Sequence, residues 1–219
     1  MDNVYKFIDE LNIKSEYIVA AISGGPDSMF LLEILKKYQS KYKIVVAHVH
    51  HNHRKESDNE ALMVKKFCEE NDMIFEFMKI EKYTNDEFTE VEARVLRYKF
   101  FDEVVKKYNS EILFTAHHGD DLIETVLMRL TRGSSLKGYA GFEPISTDRG
   151  YIIARPLIYL TKQEIKEYLD KNNLWYAIDM SNECNDYTRN RYRNNILPTL
   201  KKENENIHLK FIDYNKKLL

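Results

Sequence analysis

Six residues, Ser23-Gly24-Gly25-Pro26-Asp27-Ser28, constrain this chain more than any other stretch. Before them Tyr17 to Ile22 reads as a buried strand, and after them Ser28 to Tyr38 carries Met29, Leu32 and Leu35 at helical spacing. Strand, glycine turn and helix together form the setting of a phosphate seat. Gly24 and Gly25 permit positive φ and close approach of an oxyanion, the helix start offers free amides, and Ser23 and Ser28 add hydroxyl donors. Neither GxxxxGK[ST] nor GxGxxG occurs here. The turn carries a carboxylate, Asp27, which would repel a phosphate unless a magnesium ion stood between them. The plain alternative is a solvent-facing turn that ends in a helix cap.

The pattern repeats down the chain. Strand-like runs at Lys43 to Val49, Met73 to Met78, Glu111 to Ala116 and Tyr151 to Ile153 alternate with helical stretches. These helices are Ser57, as cap, to Glu70, a long one through Val91 and Phe101, Asp120 to Leu130, and Lys162 to Asn172 capped by Thr161. Such alternation predicts an α/β fold, a doubly wound and mainly parallel sheet of about five strands with helices on both faces. Ile80 to Phe88 is polar and reads as an excursion near the site, and Gly133 to Gly150 as loop or short hairpin. A short helical C-terminal extension follows. The expected organisation is a nucleotide-binding domain over 1–185 and a basic helical extension over 186–219.

Composition adds limits. No apolar run approaches the ~18 residues a membrane span needs, and no signal peptide is visible. The two cysteines, Cys68 and Cys184, form no paired spacing, so neither a disulfide scaffold nor a thiolate cage is expected, and the cytoplasm is the default location. Net charge is −2, yet residues 186–219 hold eight Lys or Arg against four Asp or Glu. A polyanion would be held at that end.

Two further clusters fall just past strand ends. HVHHNHR places His48, His50, His51, His53 and Arg54 at one, and AHHGDDLIET brings His117, His118, Asp120, Asp121 and Glu124 to another. Asp121 and Glu124 are three apart and share a helix face. Histidines and carboxylates at this density also permit a zinc or dinuclear site, but a magnesium triphosphate explains the carboxylates alone. In TEVEARVLRYKF, Glu92, Arg94 and Arg97 form either a solvated face or an oxyanion fork. In DYTRNRYRNN, Arg189, Arg191 and Arg193 alternate with other polar and aromatic residues, an arrangement suited to holding phosphates while Tyr187 or Tyr192 stacks or packs. A charged surface helix is the plain reading of that segment.

Taken in order, SGGPDS, AHVHHNHR, EARVLRY, TAHHGDDLIETVLMRLTRGS, the RPL at Arg155 to Leu157 and DMSNECNDYTRNRYRNNILP resemble the tRNA(Ile)-lysidine synthases among the PP-loop ATP pyrophosphatases. That resemblance implies ATP and Mg2+ as cofactors, with free L-lysine and a tRNA(Ile) bearing a CAU anticodon as partners. ATP would adenylate the 2-carbonyl oxygen of the wobble cytidine with release of pyrophosphate, and the lysine ε-amine would then displace AMP. It implies Ser23 to Ser28 on the phosphates, with His48 and His117 also lining the nucleotide site. Asp27 and Asp121 would hold magnesium. Glu124 with Arg94 would position lysine or the activated cytidine, Arg189 would complete the catalytic set, and Arg189, Arg191 and Arg193 would meet the tRNA. No membrane partner is implied, and the oligomeric state stays open, a homodimer among those admitted.

The chain departs from the family pattern at His50 and His53, where asparagine and leucine are usual, at Leu122, where glutamine is frequent, and in its short length. The rival readings are a thiolating or amide-forming PP-loop enzyme and a nonenzymatic adenine-nucleotide sensor.

Overall fold

The computed structural model describes residues 1–50, 56–80, 89–178 and 188–219. Helix α1 (Asp2–Glu10) leads into β1 (Tyr17–Ala21), α2 (Pro26–Lys36), β2 (Lys43–His50), α3 (Glu56–Glu70) and β3 (Ile74–Lys79). Then come α4 (Glu90–Lys107), β4 (Ile112–Phe114), α5 (Gly119–Arg132), the single turn α6 (Leu136–Tyr139), β5 (Ile145–Ser146) and β6 (Ile152–Ala154). A 3-10 turn (Pro156–Tyr159), α7 (Lys162–Lys171), α8 (Thr188–Arg191), a π-helical turn (Tyr192–Ile196), α9 (Leu197–Glu203) and α10 (Ile207–Leu218) complete it.

All six strands belong to one sheet in the order β3-β2-β1-β4-β6-β5. The five expected strands are parallel, and the sixth, β5, pairs antiparallel with β6 and lies in the glycine-bearing stretch expected to be loop or short hairpin. Period-two alternation assigns the faces. Ile18, Ala20, Ile44, Val46, Ile112 and Phe114 meet the helices α1, α2 and α7, while Val19, Val45, Ala47 and Leu113 meet Tyr98, Phe101 and Val104 of α4. Because both faces are covered, the inner strands β1, β4 and β6 are apolar and β2 is apolar up to His48 and His50 at its carboxyl end, Lys43 aside, and each fully buried Leu, Ile or Phe is worth roughly 1.5–3 kcal/mol of transfer free energy.

Local chemistry sets the helix ends. Thr161 Oγ1 accepts from Glu164 N–H at 3.2 Å and Glu164 Oε2 accepts from Thr161 N–H at 2.7 Å, a reciprocal cap where the sequence places one. Thr161→Ala is expected to lower stability by about 1 kcal/mol, read as a lower urea midpoint at unchanged slope; an unmoved midpoint would deny the cap its role. At α3 the expectation needs correction, since the helix already includes Glu56 and Ser57 is a buried residue of its first turn. Among the described residues no helix is long and apolar enough to cross a membrane.

The tail packs back on the sheet's helices. Ile212 of α10 joins Leu122, Val126 and Ile158, and the buried Asn215 donates through Nδ2 to the carbonyls of Ala140 (2.6 Å) and Phe142 (3.1 Å). Apolar positions too sparse for a core of their own thus finish the cover over α5.

The chain steps outward from β1 to β2 and β3, then returns past β1 to β4 and β6. The strand order therefore reverses between β1 and β4, and the crevice beyond their carboxyl ends is where such sheets bind ligands.

Candidate active site

Residues 22–28 leave β1 at that crevice. Ser28 Oγ accepts from the N–H groups of Ser23 (3.2 Å) and Gly24 (3.1 Å) and donates to Gly25 O (2.9 Å), which closes the turn. Gly24 has φ +93°, a backbone conformation that favours glycine, and Val64 Cγ2 lies at contact distance, 3.4 Å, from where a Cβ would stand. Its carbonyl accepts from Ala177 N–H at 2.9 Å, and the ring of the sole tryptophan, Trp175, lies 3.9 Å from that same Cβ position. Gly25 is the N-cap of α2 and has no side chain to offer, so the first-turn amides of Asp27 and Ser28 have no side-chain cap. These are the donors that an anion at a helix start uses.

Opposite, β4 ends at Phe114 and α5 begins at Gly119. His118 is almost wholly buried, and its Nε2 lies 3.6 Å from Asp27 Oδ2 and 3.5 Å from Asp121 Oδ2. Burial would lower its pKa, but the charges of Asp121 and Asp27 outweigh that and raise it to about 9. Burial would likewise raise Asp121, yet His118, Arg189 and Arg193 hold that carboxyl well below the usual range. Asp27 Oδ1 and His118 Nδ1 are buried with no hydrogen-bond partner.

Glu124, one helical turn on, is fully buried. Arg189 Nε donates to its Oε2 and Arg193 Nε to its Oε1, each at 2.7 Å, and both guanidinium groups reach Asp121 Oδ1 at 3.3 Å. The two arginines are four residues apart at the α8 to π-turn junction, so they face the same way. Arg191 falls outside this pairing and donates to Thr188 Oγ1 at 3.1 Å. Tyr192 packs on α5 through a 2.6 Å bond from its hydroxyl to Thr131.

The structure thus brings together Ser23 to Ser28, Asp27, Asp121, Glu124, Arg189 and Arg193. His117 sits at the edge, its Nδ1 3.0 Å from Thr115 Oγ1, its ring beside Phe142, and its pKa pushed down to about 4 by burial. His48 is inside the sheet; its Nδ1–H bonds Ile22 O at 2.8 Å, and burial holds its pKa near about 4, so the neutral ring stitches the start of the turn to β2. His50 shares that side, its Nε2 3.2 Å from Asp58. Arg94 is exposed on α4 with its guanidinium 4.8 Å from the Tyr98 ring centre. Glu92 caps α4 through Thr89. His51, His53, Arg54, Cys184 and Tyr187 lie outside the described residues.

Sequence reasoning underweighted His118, Asp120 and Arg155. Asp120 Oδ2 accepts from Lys162 N–H (3.0 Å) and Lys201 Nζ (2.7 Å), tying α5 to α7 and α9. Arg155 donates to Glu143 O (2.6 Å) and Ser146 Oγ (3.2 Å) and lies over Phe142. The doubled His and doubled Asp in HHGDD were the available signal.

Among the described residues no group of three or more His, Cys, Asp or Glu is arranged to hold a metal ion, which leaves the zinc reading without a ligand set there. Magnesium asks less of a protein, needing one or two carboxylates beside phosphate and water oxygens. Asp27 and Asp121, aimed at one nitrogen, with an unpartnered Asp27 oxygen, fit that demand.

Known proteins resemble this chain over most of its length. The chain is 45% identical over 207 residues to a tRNA(Ile)-lysidine synthase of Bacillus cereus and 41% identical over 216 residues to a bifunctional protein TilS/HprT of Listeria innocua. These alignments cover 89% and 95% of this chain but only 42% and 33% of the relatives, so the chain spans less than half of their length. The U34-tRNA thiolase NcsA of Methanococcus maripaludis superposes with a TM-score of 0.81 at 17% identity, covering 99% of this chain and 76% of that one, a likeness of fold. The family model described as the PP-loop domain matches residues 2–200. With its glycine turn, its parallel sheet and that match, the chain belongs to the PP-loop domain family.

Proposed function

We propose that the chain is the catalytic part of a tRNA(Ile)-lysidine synthase of the cytoplasm, joining lysine to the wobble cytidine of a CAU anticodon at the expense of ATP. The observation that carries this reading is the convergence of Asp27 from the glycine turn, Asp121 and Glu124 from α5, and Arg189 and Arg193 from the tail on one crevice. Relatives of that name at 37–45% identity support it.

ATP use follows from the family. The uncapped amides at the start of α2, Ser28 N–H among them, and the hydroxyl of Ser23 receive its phosphates, while Ser28 Oγ keeps the turn closed. Asp27 and Asp121 would hold Mg2+, which supplies charge neutralisation as pyrophosphate departs. The cytidine 2-carbonyl oxygen attacks the α-phosphorus; the adenylated oxygen then leaves C2 with AMP as the lysine nitrogen bonds to C2 and gives up its proton. Lysine attacks as the neutral amine, and its ordinary pKa of about 10.4 makes a nearby acceptor necessary. Glu124, held by Arg189 and Arg193, serves lysine or the activated base, while the arginine-rich tail with Arg191 addresses nucleotide and RNA. His48 and His117 support the nucleotide side.

The thiolating alternative needs a reactive cysteine. Cys68 is fully buried with its thiol pushed up to about 12 by burial, which keeps it from the thiolate form.

The assay is lysine-dependent labelling of an unmodified CAU-anticodon tRNA(Ile) transcript with ATP, magnesium and radiolabelled lysine, AMP followed in parallel. Label with matching AMP is the expected result. A folded preparation that labels nothing while a full-length relative does so would sink the reading. Asp27→Asn is expected to reduce turnover about 100-fold or more with an unchanged melting temperature, and retained turnover would remove Asp27 from the magnesium pair.

A further inference from the structure

Away from the carboxylates of the crevice, three guanidinium groups gather on one tyrosine. The guanidinium carbons of Arg149, Arg94 and Arg97 lie 4.5, 4.8 and 5.9 Å from the ring centre of Tyr98. Stacking on the phenol holds each guanidinium against the ring, while like charges held so close repel one another. Among the described residues no carboxylate pairs with Arg94. Of the acids nearby, Asp102 is engaged by Arg149 Nη1 and the Tyr151 hydroxyl, each at 2.6 Å, and Glu143 by Lys137 at 3.2 Å. Arg155 stands behind the group, its own pKa lowered first by burial and further by Arg94.

The fold gives this tract a direction. Arg155 follows β6, and Arg94 lies in the first turns of α4, which starts beyond the carboxyl end of β3; both are therefore at the edge of the sheet that carries the glycine turn. Arg97 and Arg149 continue the tract away from that edge, since α4 runs back along the sheet and Arg149 precedes β6. At the upper end Arg155 and His117 share the Phe142 ring, and His117 is followed directly by the His118 that faces Asp27 and Asp121. A cationic track thus leads from the crevice down the α4 side.

We propose that Arg94, Arg97 and Arg149, arrayed on Tyr98, are the surface that takes the phosphodiester backbone of the RNA substrate while its target base occupies the crevice. The assignment rests on the function proposed above and adds a path for the RNA that the tail arginines do not provide. Planar guanidinium forks suit phosphate oxygens, and such contacts position a nucleic acid without reading its sequence.

The test measures affinity for a CAU anticodon stem-loop RNA across a salt series, using the whole chain, its Arg149→Gln variant and the Arg97→Gln/Arg149→Gln double variant. Each arginine lost is expected to flatten the slope of log affinity against log salt by about 0.7–0.9, with a several-fold loss of affinity in the double variant. Arg149→Lys should restore most of the slope, ATP affinity should not move, and a hairpin of unrelated sequence should lose the same increment. A benzophenone side chain placed at position 149 should crosslink to the RNA stem, which reads the surface even if the double variant melts early. Slopes equal to the parent's, with no crosslink, would overturn the proposal. Lysine labelling by the parent chain runs alongside: label with unchanged slopes defeats only this surface, whereas a parent that neither binds nor labels the RNA defeats both readings.

Discussion

Glu124→Ala is expected to lower stability by about 3 kcal/mol and to remove turnover. Its carboxylate is fully buried and is the shared partner of Arg189 and Arg193. Taking it away leaves two cations beside a cavity with only the longer contacts to Asp121 to share, and breaking a buried pair from one side costs roughly 3–5 kcal/mol. The lower end applies because the side chains of Arg189 and Arg193 are 41% and 20% exposed, so water relieves part of the loss. For a chain this long the change corresponds to a drop of about 6–12 °C in melting temperature. Glu124→Gln keeps the shape but sets an amide against a guanidinium, so it should regain part of the stability and none of the turnover. If both variants melt with the parent, the double ion pair holds nothing.

The second large effect is expected at Gly119. A Cβ there would lie 2.9 Å from Ile158 O, 2.9 Å from His208 Cβ and 3.0 Å from Leu160 O. The two oxygens are backbone atoms and cannot step aside cheaply, because Leu160 O is itself the acceptor of Gly119 N–H at 2.8 Å. Alanine favours a helix over glycine by about 1 kcal/mol, but overpacking costs up to about 3 kcal/mol or more, so the clash wins and Gly119→Ala destabilises by about 2 kcal/mol. Relief requires α5 to slide outward with Asp121 and Glu124 aboard. A misplacement of about 1 Å costs on the order of 100-fold in rate, so turnover should fall by that much with nucleotide affinity nearly kept, as the glycine turn belongs to β1 and α2. Measured stability above the parent's would show that the site has room for the methyl group.

Much of this was legible because it is local. Each parallel strand, the Thr161 cap and the glycine turn follow from periodicity and residue type within a few positions, and the doubly wound sheet follows from their order. Asp121 and Glu124 sharing a face needed only helix spacing. What could not be read depends on contacts between distant segments. Arg189 and Arg193, rather than Arg94, close on Glu124 because the tail folds back over α5, and nothing local chooses among four arginines. His48 looked like its neighbours at the strand end until its ring was seen bonded to Ile22 O inside the sheet. Likewise His118 differs from His117 only in which neighbours three-dimensional packing gives it. Gly119 in HHGDD gave no hint of the two carbonyls and the histidine pressed against it.

The segment that braces Gly24 has a spectroscopic consequence. Trp175 is the sole tryptophan of the chain, it is 37% exposed, and it stands beside the turn assigned to the phosphates. Emission excited at the red edge of protein absorption therefore originates at a single place, beside that turn. Its wavelength and its quenching describe the polarity and crowding at the mouth of the crevice, with no label to perturb them.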